Sequence, residues 1–186
     1  MSDKAALRRL IRSRFGGETA RAQESEAICR HILQSPWYLQ AQTVGAYMPL
    51  AREADVQRVL EDVLQSGRTL ALPLCGKAPH MTLRRVRTLA ELVPGAYGIP
   101  EPGEDTEIIP VEQLDLLIVP LEGVGPDGMR LGKGGGYYDC LLAGQTIRTM
   151  GAALSWQRVG DVPAQPWDRP LMALADRDGV TYFNQQ

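Results

Sequence analysis

The residues best suited to chemistry lie in a glycine-rich segment at positions 123–136, which has the sequence GVGPDGMRLGKGGG. Seven of the 19 glycines of the chain fall within this segment, together with Arg130 and Lys133. Glycines permit positive φ angles and close approach of the backbone, so successive N–H groups can converge on an anion. An arginine fork and a mobile lysine ammonium add positive charge to such a loop. The segment predicts a phosphate-binding loop, and a purely structural glycine-rich turn is the alternative.

The spacing of this loop departs from the general nucleotide-binding motifs. A P-loop has the pattern GxxxxGK[ST], but Asp127 stands at its first glycine position and Gly134 stands where Ser or Thr should follow the lysine. A dinucleotide-binding fingerprint normally follows the first strand of its βαβ unit, whereas this loop comes late in the chain. Residues 137–142 can begin a helix, whose positive end would favour an anion in the loop. The generic nucleotide-binding motifs therefore do not fit this loop.

The first two predicted elements are helices. Leu7, Leu10, Ile11 and Phe15 follow the spacing of a helix that packs on a core. Two glycines then break the pattern, and residues 18–34 predict a second helix that ends before Pro36. The inward positions of this second helix are Ala20, Ala27, Ile28 and Ile32.

A strand, a helix and a second strand follow within about 30 residues. Residues 43–48 predict a short strand, residues 56–64 have a clear helical face, and residues 69–73 predict the second strand. Asp55 is the candidate N-cap of the helix and Gly67 the candidate residue just past its end. Because the crossover of a βαβ unit is right-handed, the two strands are expected to be parallel neighbours in one sheet.

The most apolar segment lies directly before the glycine-rich loop. Residues 81–86 predict an antiparallel or edge strand, and residues 94–110 predict a turn-rich surface excursion. Residues 114–121, LDLLIVPL, suit a central strand that is buried on both faces. In open α/β sheets, ligands bind beyond the carboxyl ends of the strands, so the loop that follows this strand should lie at a ligand-binding crevice.

Length and composition place these elements in one soluble domain. The chain has 186 residues, 44% hydrophobic and 23% charged, which are ordinary globular values. We therefore expect a single compact α/β domain over residues 1–186, with a mostly parallel central sheet flanked by helices. Glycine and proline make up 32 of 186 residues, about 17% against a usual 12% or so, and much of the excess is the glycine-rich loop.

The charge and the cysteine content limit where the protein is expected to be located and which partners it is expected to bind. The net charge of −2 gives no global attraction to nucleic acid or to an anionic membrane, although residues 1–14 alone carry +4. A transit peptide is the alternative interpretation of that basic start, but Ser and Thr are sparse there. Three widely separated cysteines favour neither disulfides nor a zinc site, and no apolar run is long enough to span a membrane. We expect a cytoplasmic protein with small-molecule partners.

Residues 130–139, RLGKGGGYYD, closely resemble the RLGxGxGYYD signature of 5-formyltetrahydrofolate cyclo-ligases, also called methenyltetrahydrofolate synthetases. Further resemblances run along nearly the whole chain. Lys4 and Arg8 match an N-terminal KxxxR, residues 47–53 match a Y-x-P...E segment, and residues 98–102 match GIPEP. Pro120, Gln157 and Asp168 also fall in order. The resemblance implies a compact α/β sheet of the type found in sugar-phosphate isomerases and CoA transferases.

The resemblance implies ATP-dependent conversion of 5-formyltetrahydrofolate to 5,10-methenyltetrahydrofolate with release of ADP and phosphate. In the family, the formyl oxygen attacks the γ-phosphate, N10 attacks the resulting imidate phosphate, and phosphate leaves as the ring closes. Phosphoryl transfer needs chiefly alignment and charge stabilisation, so a glycine loop, cations and Mg²⁺ suffice without a protein nucleophile.

The resemblance also assigns roles to individual residues. The positions that match ATP-contacting residues are Lys4, Arg8, Arg130, Leu131, Gly132, Lys133, Gly134, Gly135, Gly136, Tyr137 and Tyr138. The positions where reduced folate is expected are Glu53, Lys133, Gly134, Gly135, Gly136 and Tyr137. Arg130 and Lys133 are the expected catalytic cations, and Asp139 and Asp168 match acids associated with magnesium, whose hard ion suits carboxylate oxygens. The two tyrosines are candidates for flanking a flat ring system.

Three departures from the family pattern bear on efficiency. Val124-Gly125 stands where the family commonly has Phe-Asp, so Asp127 would have to substitute for that acid from a shifted position. Cys140 replaces an arginine that often follows the signature, and Trp156 precedes Gln157.

Two other functions are also compatible with the sequence. One is an ATP-using relative that acts on another small formyl or carboxyl compound, and the other is an RNA-binding protein that uses the basic first helix. We expect a monomer without nucleic-acid or membrane partners.

Overall fold

The computed structural model describes residues 4–95 and 98–183 of the chain. The α-helices in this part of the chain are α1 (Lys4–Ser13), α2 (Gly17–Gln34), α3 (Pro36–Gln40), α4 (Gln57–Gln65) and α5 (Tyr137–Leu141). The first six strands are β1 (Thr43–Gly45), β2 (Thr69–Cys75), β3 (Met81–Val86), β4 (Val93–Pro94), β5 (Pro100–Glu101) and β6 (Leu116–Val119). The remaining strands are β7 (Gly123–Val124), β8 (Arg130–Leu131), β9 (Thr149–Ala152), β10 (Ala173–Asp176) and β11 (Gly179–Tyr182).

Within the described residues, seven strands form a central sheet in the order β11-β10-β9-β6-β1-β2-β3. The five inner strands, from β10 to β2, run parallel, while β3 and β11 pair antiparallel at the two edges. In register, Val44 lies opposite Leu70 on one side and Leu116 on the other. The expected α/β class with a mostly parallel sheet is confirmed, as are the βαβ unit β1–α4–β2 and the edge position of β3.

The strand β6 lies at the centre of this sheet and is buried along its whole length. Its side chains alternate between two cores: Leu116 and Ile118 pack on the side of α2 and α4, while Leu117 and Val119 pack on the side of α5. Each such side chain contributes about 1.5–3 kcal/mol by leaving water. The prediction of a central strand buried on both faces is therefore confirmed, and its carboxyl end enters the glycine-rich segment through β7.

Several boundaries differ from the expected ones for local reasons. The first strand is shorter than predicted and ends at Gly45. The sequence around Pro36 does not simply end a helix, because Ser35 caps a new short helix by accepting a hydrogen bond from the backbone of Tyr38. Asp55 accepts a hydrogen bond from the Gln57 backbone, yet it lies one residue before the N-cap position. Gly67 has φ +73° just past α4, as expected of a residue in that place.

The first helix is attached differently from the prediction. Ile11 is buried, but Leu10 is 46% exposed and Phe15 lies beyond the end of the helix. Ile11 packs with Leu131 and Val162 in a small cluster of its own rather than on either main core. The expectation that Leu10 faces a core is therefore wrong, because α1 lies on the β7–β8 hairpin and not on the sheet.

Candidate active site

The glycine-rich segment forms a hairpin and a loop at the carboxyl-terminal edge of the parallel sheet. Strands β7 and β8 pair antiparallel, and the loop 132–136 connects β8 to α5. Gly134 has φ +108° and Gly136 has φ +72°, values in the left-handed region that favours glycine. Residues 137–141 are helical, as predicted, but a helix of five residues adds only a small dipole, so side-chain cations must supply most of the positive charge.

The N-terminal helix brings one predicted cation to this loop and another to Asp168. The Nε atom of Arg8 donates to the backbone oxygen of Gly132 at 2.8 Å. The Nζ atom of Lys4 lies 2.5 Å from Oδ2 of Asp168. The i, i+4 spacing places both side chains on one face of α1, so a helix from the start of the chain lies across the glycine loop.

Glu53 and Lys133 meet across the same site. The Oε1 atom of Glu53 lies 2.9 Å from Nζ of Lys133. Glu53 is only 5% exposed, and its other carboxylate oxygen accepts the backbone N–H of Leu50 at 2.9 Å. The backbone oxygen of Glu53 in turn accepts from Nε of Arg21. Leu50 and Lys133 thus hold the Glu53 carboxylate, and Arg21 holds its backbone. The Lys133 side chain is 42% exposed and approaches from the loop.

Arg130 is held beneath the loop by Asp139. The Nη2 atom of Arg130 donates to Oδ1 of Asp139 at 2.5 Å, and Arg130 is only 9% exposed. A Cβ atom on Gly132 would lie 2.9 Å from Nη1 of Arg130, so glycine at position 132 leaves the space that the guanidinium occupies. A buried cation at the base of a glycine loop is suited to stabilise negative charge in a low-dielectric setting.

The two tyrosines of the signature occupy different surroundings. The hydroxyl of Tyr138 is buried, and no hydrogen-bond partner is found for it among the residues that the structure describes. Burial raises the pKa of Tyr138 above its ordinary value, and the negative charge of Glu53 adds to the effect. The Arg130 guanidinium carbon lies 5.6 Å from the centre of the Tyr138 ring. The hydroxyl of Tyr137 donates instead to the backbone oxygen of Gly76, at 3.4 Å.

The two acids expected near magnesium each lie beside a cation. Asp139 pairs with Arg130 and Asp168 pairs with Lys4, and within residues 4–95 and 98–183 no three His, Cys, Asp or Glu side chains form a metal-binding group. The protein side chains alone do not make a metal cage. They fit a magnesium ion that arrives on nucleotide phosphates, because Mg²⁺ commonly keeps its waters and takes one or two carboxylates.

Two residues beside the loop were not indicated as site residues by the sequence. The Nε atom of Arg12 lies 2.5 Å from Oε1 of Glu122, a residue between β6 and β7. Arg12 follows Lys4 and Arg8 at the same four-residue spacing, so the pattern that found those two could have found it. Glu122 carries no sequence signal of this kind. Asp127 accepts from the backbone of Met129 within the β7–β8 turn, where it shapes the hairpin.

A separate groove of about 500 Å³ is lined by Asp127 of the β7–β8 turn, Thr149 at the start of β9 and Met172 just before β10, among others. Apart from Asp127, it contains none of the candidate site residues. Among the described helices, none has the length and the apolar character needed to cross a lipid bilayer.

The family model of the 5-formyltetrahydrofolate cyclo-ligase family matches residues 1–175 of the chain. The chain is 31% identical over 173 residues to the 5-formyltetrahydrofolate cyclo-ligase of Escherichia coli (strain K12), covering 89% of this chain and 95% of that protein. It is 29% identical over 188 residues to the mitochondrial 5-formyltetrahydrofolate cyclo-ligase of Arabidopsis thaliana, covering 86% of this chain and 68% of that protein.

The fold is similar to that of solved structures as well. The structure of 5,10-methenyltetrahydrofolate synthetase from Aquifex aeolicus aligns with a TM-score of 0.85 and 30% identity, covering 98% of this chain and 94% of that chain. The synthetase structure from Mycoplasma pneumoniae, at 24% identity, shares the fold with a TM-score of 0.74, over 94% of this chain and 99% of that chain. The family model, the relatives and the fold agree, and the chain belongs to the 5-formyltetrahydrofolate cyclo-ligase family.

Proposed function

We propose that this protein uses ATP to convert 5-formyltetrahydrofolate to 5,10-methenyltetrahydrofolate, releasing ADP and phosphate. The observation that carries the proposal is the ion pair between Glu53 and Lys133. Glu53 is the residue expected to contact folate, and Lys133 lies in the loop expected to bind the transferred phosphate. Their contact brings the folate side and the phosphate side of the site within one ion-pair distance, as a reaction between the two substrates requires.

The proposed reaction consists of two displacement steps. The formyl oxygen attacks the γ-phosphorus of ATP, the bond from that phosphorus to the β–γ bridging oxygen breaks, and ADP leaves. The N10 amine then attacks the formyl carbon and loses its proton. The C–O bond breaks, and the original formyl oxygen departs as part of phosphate. Each step moves negative charge onto phosphate oxygens, so cations placed beside these oxygens accelerate it.

The chain supplies those cations from two directions. Arg130 lies buried beneath the loop, where its charge is poorly screened by water. Lys133 lies within the loop, and Lys4 and Arg8 approach from α1. Four of the five residues from 132 to 136 are glycines, so triphosphate oxygens can approach the N–H groups of this backbone closely.

We propose Asp139 as the residue that would meet a magnesium ion carried by ATP. Its side chain is partly exposed beside Arg130, at the end of the loop. Magnesium would supply charge neutralisation between the phosphates when bound. Asp168, which pairs with Lys4 of α1, is the second expected acid.

The remaining parts of the proposal concern the setting of the enzyme. We assign residues 1–186 to one domain that acts as a cytoplasmic monomer on small molecules, without nucleic-acid or membrane partners. Three cations of the basic first helix, Lys4, Arg8 and Arg12, are engaged with Asp168, Gly132 and Glu122. These contacts leave fewer charges for an RNA backbone and so favour the enzyme over the RNA-binding alternative.

The proposal is tested with purified protein, Mg-ATP and 5-formyltetrahydrofolate. Methenyl absorbance should develop together with an equal amount of ADP, and neither should form when ATP is left out. ADP release that depends on a different formyl or carboxyl compound, with no methenyl product from the folate, would indicate the ATP-using relative. A folded protein that turns over neither substrate would overturn the proposal.

A further inference from the structure

The first helix carries a third cation on the face that supplies Lys4 and Arg8. Arg12 follows at the next four-residue step, and its Nε donates to Oε1 of Glu122 at 2.5 Å. The hydrogen bond and the charge of Glu122 raise the pKa of the Arg12 guanidinium above its ordinary value.

Glu122 is tied directly to the glycine-rich loop. It is only 8% exposed, and its backbone N–H donates to the oxygen of Leu131 at 2.8 Å. Leu131 precedes Gly132, whose own carbonyl oxygen accepts from Arg8. The contact at Glu122 and the contact at Gly132 therefore fix α1 to neighbouring points of the same hairpin.

Apolar contacts alone hold α1 weakly. Ile11 is the helix residue that is buried, and it packs against Leu131 and Val162. The approach is close, because a Cβ atom on Gly123 would lie 2.5 Å from Cδ1 of Ile11. Together with the partly buried Leu7, Ile11 gives α1 only a small apolar contact, so polar contacts are needed to set the direction of the helix.

We propose that the Arg12–Glu122 pair is a positioning device that sets the angle of α1 and thereby places Lys4 and Arg8 over the nucleotide. This inference rests on the proposed use of ATP. Arg12 and Glu122 act through the two cations and need no contact with either substrate themselves. Their loss should weaken nucleotide binding more than folate binding, because Glu53 itself is held by Leu50, Arg21 and Lys133. The neighbouring Arg52 contacts α1 at the backbone oxygen of Arg12, which substitution of the Arg12 side chain leaves in place.

The test compares Arg12→Met and Glu122→Gln in steady-state kinetics. Both variants should raise the KM for ATP by about tenfold, as expected for small misplacements of binding groups, with the KM for 5-formyltetrahydrofolate and kcat within roughly twofold of wild type. The KM for ATP of Arg12→Lys should lie between those of wild type and Arg12→Met. The charge-swapped double variant Arg12→Glu, Glu122→Arg should recover most of the ATP affinity. Arg14→Met, which removes an exposed positive charge just beyond the same helix, is the matched control and should leave both KM values unchanged.

A second readout does not depend on catalysis. Backbone amides of α1 should exchange with deuterium faster in ligand-free Arg12→Met than in wild type, while amides of β6 keep their protection. If wild type itself does not use ATP but this difference is present, the proposed function fails and the positioning role stands. Unchanged α1 exchange, or a rise in KM for ATP in Arg12→Met alone and not in Glu122→Gln, would overturn the inference. A rise in the KM for ATP in Arg12→Met alone would mean that Arg12 binds ATP itself.

Discussion

Glu53 and Lys133 lie 80 positions apart in the sequence, yet Oε1 of the glutamate is 2.9 Å from Nζ of the lysine. The glutamate follows β1 and the lysine belongs to the loop after β8, so the parallel sheet brings two distant loops to one edge. Glu53 is buried and held by the Leu50 backbone, whereas Lys133 is partly exposed. When substrates enter, the lysine is therefore the partner that can move toward a phosphate.

Removing the Lys133 charge should impair catalysis strongly. Lys133→Met should lower kcat/KM by about 100-fold or more, because the cation that we propose to lie beside the transferred phosphate is lost from a partly buried site. Steady-state kinetics measure the effect, and Arg87→Met, which removes an exposed charge at the end of β3, is the control. A Lys133→Met variant within a few-fold of wild type would remove Lys133 from the catalytic groups.

Alanine at Gly134 should damage activity more than alanine at Gly144. Both glycines have positive φ, +108° and +74°, so each substitution should cost about 1–2 kcal/mol of stability through backbone strain. Only Gly134 lies in the loop that is proposed to bind phosphate. Thermal unfolding checks that the two variants are equally destabilised, and the KM for ATP then separates them. Equal KM values would favour the structural interpretation of the glycine-rich turn.

Asp139→Asn should shift the magnesium dependence of the reaction. With one carboxylate oxygen lost, half-maximal activity should require roughly tenfold more Mg²⁺ at saturating nucleotide. Asp127→Asn is the informative comparison, since Asp127 is the acid nearest in sequence to the position where the family has Phe-Asp. A shift in Asp127→Asn and none in Asp139→Asn would transfer the metal role to the hairpin turn.

The three cysteines should react with iodoacetamide in a defined order. Burial raises the pKa of Cys29 to about 11, and burial with a hydrogen bond to Glu101 raises the pKa of Cys75 to about 12. Because the thiolate is the nucleophile, only about one molecule in 1,000 and one in 10,000 would be reactive at pH 8 at these two positions. Cys140 is exposed, so mass spectrometry should find it alkylated first. Early labelling of Cys75 in folded protein would contradict this environment.

Much of the fold follows from local sequence patterns. The run that contains β6 alternates between two cores, and its continuous apolar character was enough to predict a central strand. The βαβ unit followed from the spacing of apolar residues around α4. The placement of α1 did not follow, because its apolar residues fit a core-facing helix equally well, and only the tertiary contact of Ile11 with Leu131 decides which surface it meets.

The site was predictable where residues are clustered in the sequence, and less so where the fold brings them together. The loop cations and glycines were visible as a local motif. The contact of Lys4 with Asp168 spans 164 positions, and the ion pair of Arg12 with Glu122 spans 110. Neither partner is indicated by spacing along the chain, since each contact depends on where α1 lies.

The most direct test of the central claim follows the formyl oxygen. The wild-type protein is given Mg-ATP and 5-formyltetrahydrofolate with ¹⁸O in the formyl group, and the released phosphate is analysed by mass spectrometry. If the formyl oxygen attacks the γ-phosphorus, every phosphate formed with a methenyl product carries one ¹⁸O atom. Methenyl product accompanied by unlabelled phosphate, with the label recovered in water, would contradict direct phosphorylation of the formyl oxygen.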